Sequence, residues 1–131
     1  MTITARQFAT GTAIAFAAFG AGLAVAQGAA PSTMRTPQFA NDEVKVWKSL
    51  IMPGNPLPLH RHDHPRVIIA LKGGTMHIRE ETGPAADKSD IAVWEAGKAY
   101  WLPANPKTQH QDINIGKEPI EVMVVELQKA W

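Results

Sequence analysis

The sequence predicts an all-β domain, a sandwich or barrel of short antiparallel strands. Three observations carry this. Strand-like runs follow one another at close spacing, Gly and Pro turns separate them, and no stretch after the N-terminal region has a convincing helical period. Seven or more such runs in so short a chain fit a closed or double-sheet architecture better than an open sheet.

The runs justify themselves in order. Residues 43–52 open with Val44 and Val46 alternating against Lys45, and Pro53-Gly54-Asn55-Pro56 ends them. Residues 66–71 are an apolar run behind Pro65, and Gly73-Gly74 makes a hairpin turn into residues 75–80. Residues 82–90 read as a loop. Residues 91–95, 100–102, 109–115 and 120–127 follow as strands, with turns at 96–97, 103–106 and 116–119.

A chain of 131 residues with 45% hydrophobic and 19% charged residues has room for one globular domain. Residues 1–26 read as a signal peptide. Arg6 precedes an apolar, small-residue run that ends in Ala24-Val25-Ala26, the small-x-small pattern of a cleavage site. That run is short against the roughly 20 strongly apolar residues of a membrane span. Arg6 stands alone, without the paired arginines of a twin-arginine signal. The expectation is a periplasmic or secreted domain at residues 43–131, reached through a flexible lead-in at residues 27–42.

Lys plus Arg number 13 against 12 Asp plus Glu, and removal of Arg6 balances them. No basic face suggests nucleic acid, and nothing after the leader suggests a membrane surface. Cysteine is absent, which leaves no disulfide, thiolate metal site or thiol nucleophile. Any metal must be held by nitrogen and oxygen.

The chemistry gathers in residues 54–73, GNPLPLHRHDHPRVIIALKG. Residues two apart on a strand share a side, so His60 and His62 can aim both imidazoles at one point. A His-rich surface turn has the same sequence. Residues 97–114, GKAYWLPANPKTQHQDIN, add a glycine, an aromatic run, a proline turn, His110 and Asn114.

Together these stretches resemble the paired motifs of the cupin superfamily. Gly54, His60, His62 and Gly73 match the first motif, and Gly97, Pro103, His110 and Asn114 match the second. The resemblance implies a single-domain cupin, a small antiparallel β-barrel of the jelly-roll kind. It also implies that His60, His62 and His110 are ligands of a divalent transition metal; Fe, Zn, Ni, Cu and Mn all accept such a set. Family members without a full ligand set can keep such histidines as hydrogen-bonding pocket residues instead.

There are three departures from the motifs. Asn105 stands where the second motif has glycine, and it tolerates the left-handed backbone a turn there can require. The turn before His110 is two residues longer than the pattern. Arg66 occupies the position of the family's glutamate ligand, and a guanidinium has no lone pair to give a cation. Arg66 pointing inward would grip a ligand carboxylate bidentately; Arg66 turned outward would pair with an acid such as Asp63 or Asp112.

His64 is a further possible ligand or a residue of the mouth, and Asp112 can orient a ligand histidine from behind. Trp101 is the first aromatic candidate for contact with a substrate, and His77 reads as structural or exposed. The texture is similar to small exported cupins named for β-alanine degradation. Two functions stay open. One is a metal-dependent oxygenase or isomerase acting on a small organic acid. The other is a non-catalytic module that binds a small molecule or metal in the same cavity, with no acid assignable as the proton carrier among Glu80, Glu95 and Glu126. Homodimerisation is expected, with residues 43–50 as an edge strand free to pair between subunits.

Overall fold

In the computed structural model residues 28–129 are described, so the expected leader lies outside them. Nine strands and, among these residues, no helix make up the chain: β1 (Met34–Ala40), β2 (Val44–Ile51), β3 (His60–His62), β4 (Arg66–Lys72), β5 (Gly74–Glu80), β6 (Ser89–Trp94), β7 (Ala99–Leu102), β8 (Asn105–Asn114) and β9 (Ile120–Leu127). They form two antiparallel sheets, ordered β1-β2-β9-β4-β7 and β3-β8-β5-β6. This is the small jelly-roll barrel that the turns and motifs predict.

Alternation along the strands builds the interior. β9 sends Ile120, Val122 and Val124 inward, β4 sends Ile68 and Ala70, and β2 sends Trp47 and Ile51. Leu57, Met76 and Trp94 close the same cluster from the other side. Each such side chain gains about 1.5–3 kcal/mol on leaving water, so this cluster carries the barrel's stability. The turn between β6 and β7 holds Gly97 at φ 83°, a left-handed conformation that glycine adopts without a Cβ penalty. Asn105 needs no such backbone: Asp87 is the one non-glycine residue with positive φ among those described, and Asn105 opens β8.

Two expectations are corrected at the N-terminal side. Met34–Ala40, within the stretch read as a flexible lead-in, is a strand paired with β2 from Met34↔Leu50 to Ala40↔Lys45. All seven of its residues are exposed. An exposed strand held by its backbone ladder shows no apolar alternation in sequence. Because β1 covers it, β2 is not an edge strand; the edges of that sheet are β1 and β7.

Asn114 ties the two motifs together. Its buried side chain donates to the carbonyls of Ile51 and Glu118 and accepts from the Gly116 amide, at 2.9, 2.8 and 2.9 Å. Its backbone carbonyl accepts from the Gly54 amide at 2.9 Å. Asn114→Ala strands three backbone groups inside the barrel, and its expected cost is about 2–4 kcal/mol. A thermal midpoint lower by roughly 8–16 °C checks this; an unchanged midpoint refutes it.

Candidate metal site

The inward rows change from apolar to polar at one end of the barrel. Beyond Val124 the next inward residue of β9 is Glu126; beyond Ile68 the next on β4 is Arg66, and these two are cross-strand partners. On β8, inward Asn114 is followed toward the same end by Asp112 and His110, and His110 lies opposite His60 of β3. The β3–β8 pairing is irregular: His62 lies opposite Asn105, where regular pairing from His60↔His110 would place Thr108, so the longer approach to His110 is accommodated there.

The three histidines converge as the cupin resemblance implies. Ring centroids are 4.5 Å apart for His60 and His110, 5.0 Å for His60 and His62, and 5.3 Å for His62 and His110. One nitrogen from each ring lies within 4.8 Å of the others. His60 Nδ1 is 2.7 Å from the Pro58 carbonyl oxygen, which only accepts, so Nδ1 carries a proton and Nε2 is the nitrogen left to face a metal. That Nε2 is buried without a hydrogen-bond partner, as is His110 Nδ1. An orphaned group costs about 1–3 kcal/mol, and a cation coordinated by His60 Nε2 would remove that cost for this nitrogen. The donor set therefore fits a metal ion.

The family model for auxin binding protein matches residues 28–129. The chain belongs to this family of cupins. Over 84 residues, 63% of the chain, it is 33% identical to auxin-binding protein 1 of Arabidopsis thaliana, and that match spans 41% of the relative's length. A cupin domain from Bordetella pertussis superposes with TM-score 0.63 at 25% identity, over 76% of this chain and 96% of that one. A cupin with a double-stranded β-helix fold from Methanocaldococcus jannaschii gives TM-score 0.57 at 18% identity, over 76% and 83%.

In this cupin two of the imidazoles, His62 and His110, are tuned toward the neutral form. Burial pushes the His110 pKa down from 6.5 to about 4, against the pull of Asp112 and with the help of His60, His62 and Arg66. Burial likewise lowers His62, while the hydrogen-bonding influence of Glu126 opposes it. Neutral rings keep lone pairs for a metal at pH 7.

Arg66 points inward. It is buried at 8% exposure, and one guanidinium nitrogen donates to the Pro103 carbonyl at 3.3 Å. Burial lowers its pKa to about 10, with Asp112 and Glu126 opposing, so it stays cationic at neutral pH. Asp63, a possible partner for an outward Arg66, pairs with Arg61 at 3.0 Å instead. Asp112 stands between two rings, 3.5 Å from His60 Nε2 and 3.6 Å from His110 Nε2. Burial raises its pKa, but the imidazoles outweigh that and the net shift is downward.

Other placements differ from the sequence reading. Trp101 is corrected: it is 59% exposed, because Tyr100 and Leu102 take the inward positions on either side of it in β7. His64 lies outside the three-histidine group, on the wall of an outer cavity of about 510 Å³ that also meets His62, Glu126 and Trp47. Glu95 faces outward and pairs with Lys98 at 2.7 Å. Glu126 faces inward, with Oε2 3.7 Å from His62 Nδ1. Glu80 is opposite His110 and has a buried oxygen without a partner, and burial and Asp112 raise its pKa.

Sequence reasoning missed Arg35. From β1 its guanidinium lies 5.4 Å over the Trp47 ring and lines the outer cavity. Only the pairing of β1 with β2 puts it there; no local pattern marks it.

The depressed histidines give a pH dependence. Above pH 6.5 folded and unfolded chains both hold His110 neutral. Between 6.5 and about 4 the unfolded chain takes up a proton that the folded one refuses, so stability is lost as pH falls. His62 adds the same sign, whereas Asp112 and Glu126 lose their contributions only below their ordinary values of 3.8 and 4.5. The thermal midpoint of metal-free protein is expected to fall as pH is lowered from 7 to 5, and less steeply in His110→Gln. Equal slopes in the two proteins refute the assignment.

Proposed function

We propose that this protein is an exported small cupin that holds a divalent transition metal with His60, His62 and His110 and binds or acts on a small organic acid at that metal. The observation that carries the metal is the convergence of three rings with His60 Nε2 buried and unpartnered. Fe, Zn, Ni, Cu and Mn are all compatible with nitrogen ligands of this kind. Arg66 supports the carboxylate: it is a buried cation beside His62 and His110, and a planar guanidinium with further donors suits a bidentate grip. Auxin, the ligand in the Arabidopsis relative's name, is itself a small organic acid. The basic residue, apolar run and small-x-small ending of residues 1–26 support export, and the wholly exposed edge strand β1 supports pairing between two copies.

Capture and turnover are supported by different observations. Glu80, inward and with its pKa raised by burial and by Asp112, supports a proton-transferring enzyme of the oxygenase or isomerase type. The family's name, a binding protein, supports capture without turnover. Oxygen uptake and product analysis with metal-loaded protein and a panel of small acids separate them.

Elemental analysis of protein purified without a His tag is expected to find near-stoichiometric metal, lost in a His60→Ala/His110→Ala variant. Absence of metal after anaerobic loading with Fe(II), Mn(II), Ni(II) and Zn(II) refutes the metal reading. Arg66→Gln is expected to weaken carboxylate binding about tenfold or more while metal content stays; loss of metal in that variant refutes the role given to Arg66.

A further inference from the structure

The motif position of the glutamate ligand is taken by Arg66, yet a carboxylate does reach the histidines, from a different strand. Asp112 follows His110 by two residues on β8 and shares its inward face. Its two oxygens stand 3.5 Å from His60 Nε2 and 3.6 Å from His110 Nε2.

Those separations are informative. A charge-assisted hydrogen bond between imidazole and carboxylate is about 2.7–2.9 Å long. The contacts here are longer by more than half an ångström, and His60 Nε2 makes no hydrogen bond to Asp112 or any other described residue. Two ligands bound to one tetrahedral ion at about 2.0–2.1 Å are separated by about 3.4 Å. One oxygen of Asp112 stands at about that spacing from His60 Nε2 and the other from His110 Nε2, so the carboxylate straddles the two nitrogens that a shared cation would join.

We propose that Asp112 is the carboxylate ligand of this site, so that the fourth protein donor comes from β8 rather than from β4. The proposal rests on the three-histidine metal reading and deepens it. It also gives Arg66 its place: with the anionic ligand moved to β8, the β4 position is free to carry a cation that faces the incoming acid. Arg66 is held off the metal by its bond to Pro103 and lies in the field of Asp112, whose charge offsets its own.

The test uses Co(II) as the probe on the full chain purified without a tag. Asp112→Asn is expected to lower Co(II) affinity at least about tenfold and to alter the visible ligand-field bands, with Asp112→Glu restoring both in part. A residue acting only from behind a histidine would also lower affinity, so a second variant decides. Asp112→Cys is expected to give a near-ultraviolet thiolate-to-Co(II) charge-transfer band, which appears only if side chain 112 binds the ion. No such band in folded, Co(II)-loaded Asp112→Cys, or wild-type affinity and bands in Asp112→Asn, overturns the proposal and leaves the three-histidine site standing. Failure of the wild-type chain to bind Co(II) overturns both.

Discussion

The structure depends on strand register. In an antiparallel pair, residues opposite each other share a face, and sliding one strand by a single residue moves its whole inward row to solvent. Here the register pairs Arg66 with Glu126, His60 with His110, and Glu80 with His110. One slip on β8 would expel His110 and Asp112 from the barrel together. The same slip would expose Asn114, whose three hydrogen bonds pin the strand at its far end.

That register also divides the interior in two. Ile51, Ile68, Ala70, Met76, Ile120, Val122 and Val124 fill one end, while histidines, carboxylates and arginines occupy the other. The division is energetically sensible. A buried ionised group costs several kcal/mol unless other charges meet it, so Arg66, Asp112 and Glu126 are tolerable only near one another. The apolar end supplies the stability that lets the polar end leave His60 Nε2 unpartnered and keep a neutral ring on His110. The site is thus a costly region supported by a conventional core.

Replacement of a ligand carboxylate by arginine changes what the position does without changing where it points. Arg66 keeps the inward direction of the family's glutamate, because the alternation of β4 from Ala70 through Ile68 fixes it. Its charge turns that wall from one that attracts a cation to one that attracts an anion. The acids that meet the histidines come from β8 and β9, strands far from β4 in sequence and beside or across from it in the barrel.

The sequence by itself determined the fold class and the common side of His60 and His62, and the cupin resemblance added His110. Apolar runs between Gly and Pro turns fix strands whatever their partners, and a His-x-His pair on one strand must face one way, so those features are local. The direction of Arg66 was open in the sequence, and the structure turned it inward. Tertiary structure alone decided the rest. β1 shows no alternation because neither face is buried, and Arg35 reaches Trp47 only through the β1–β2 pairing. Trp101 looked like a pocket residue by type, but the parity of β7 sent it to solvent. Glu80, Asp112 and Glu126 lie on three strands, and none carries a sign of its direction in its neighbours. What a carboxylate can do depends on which groups stand within a few ångströms of it, and for these three that was set by the closing of the barrel.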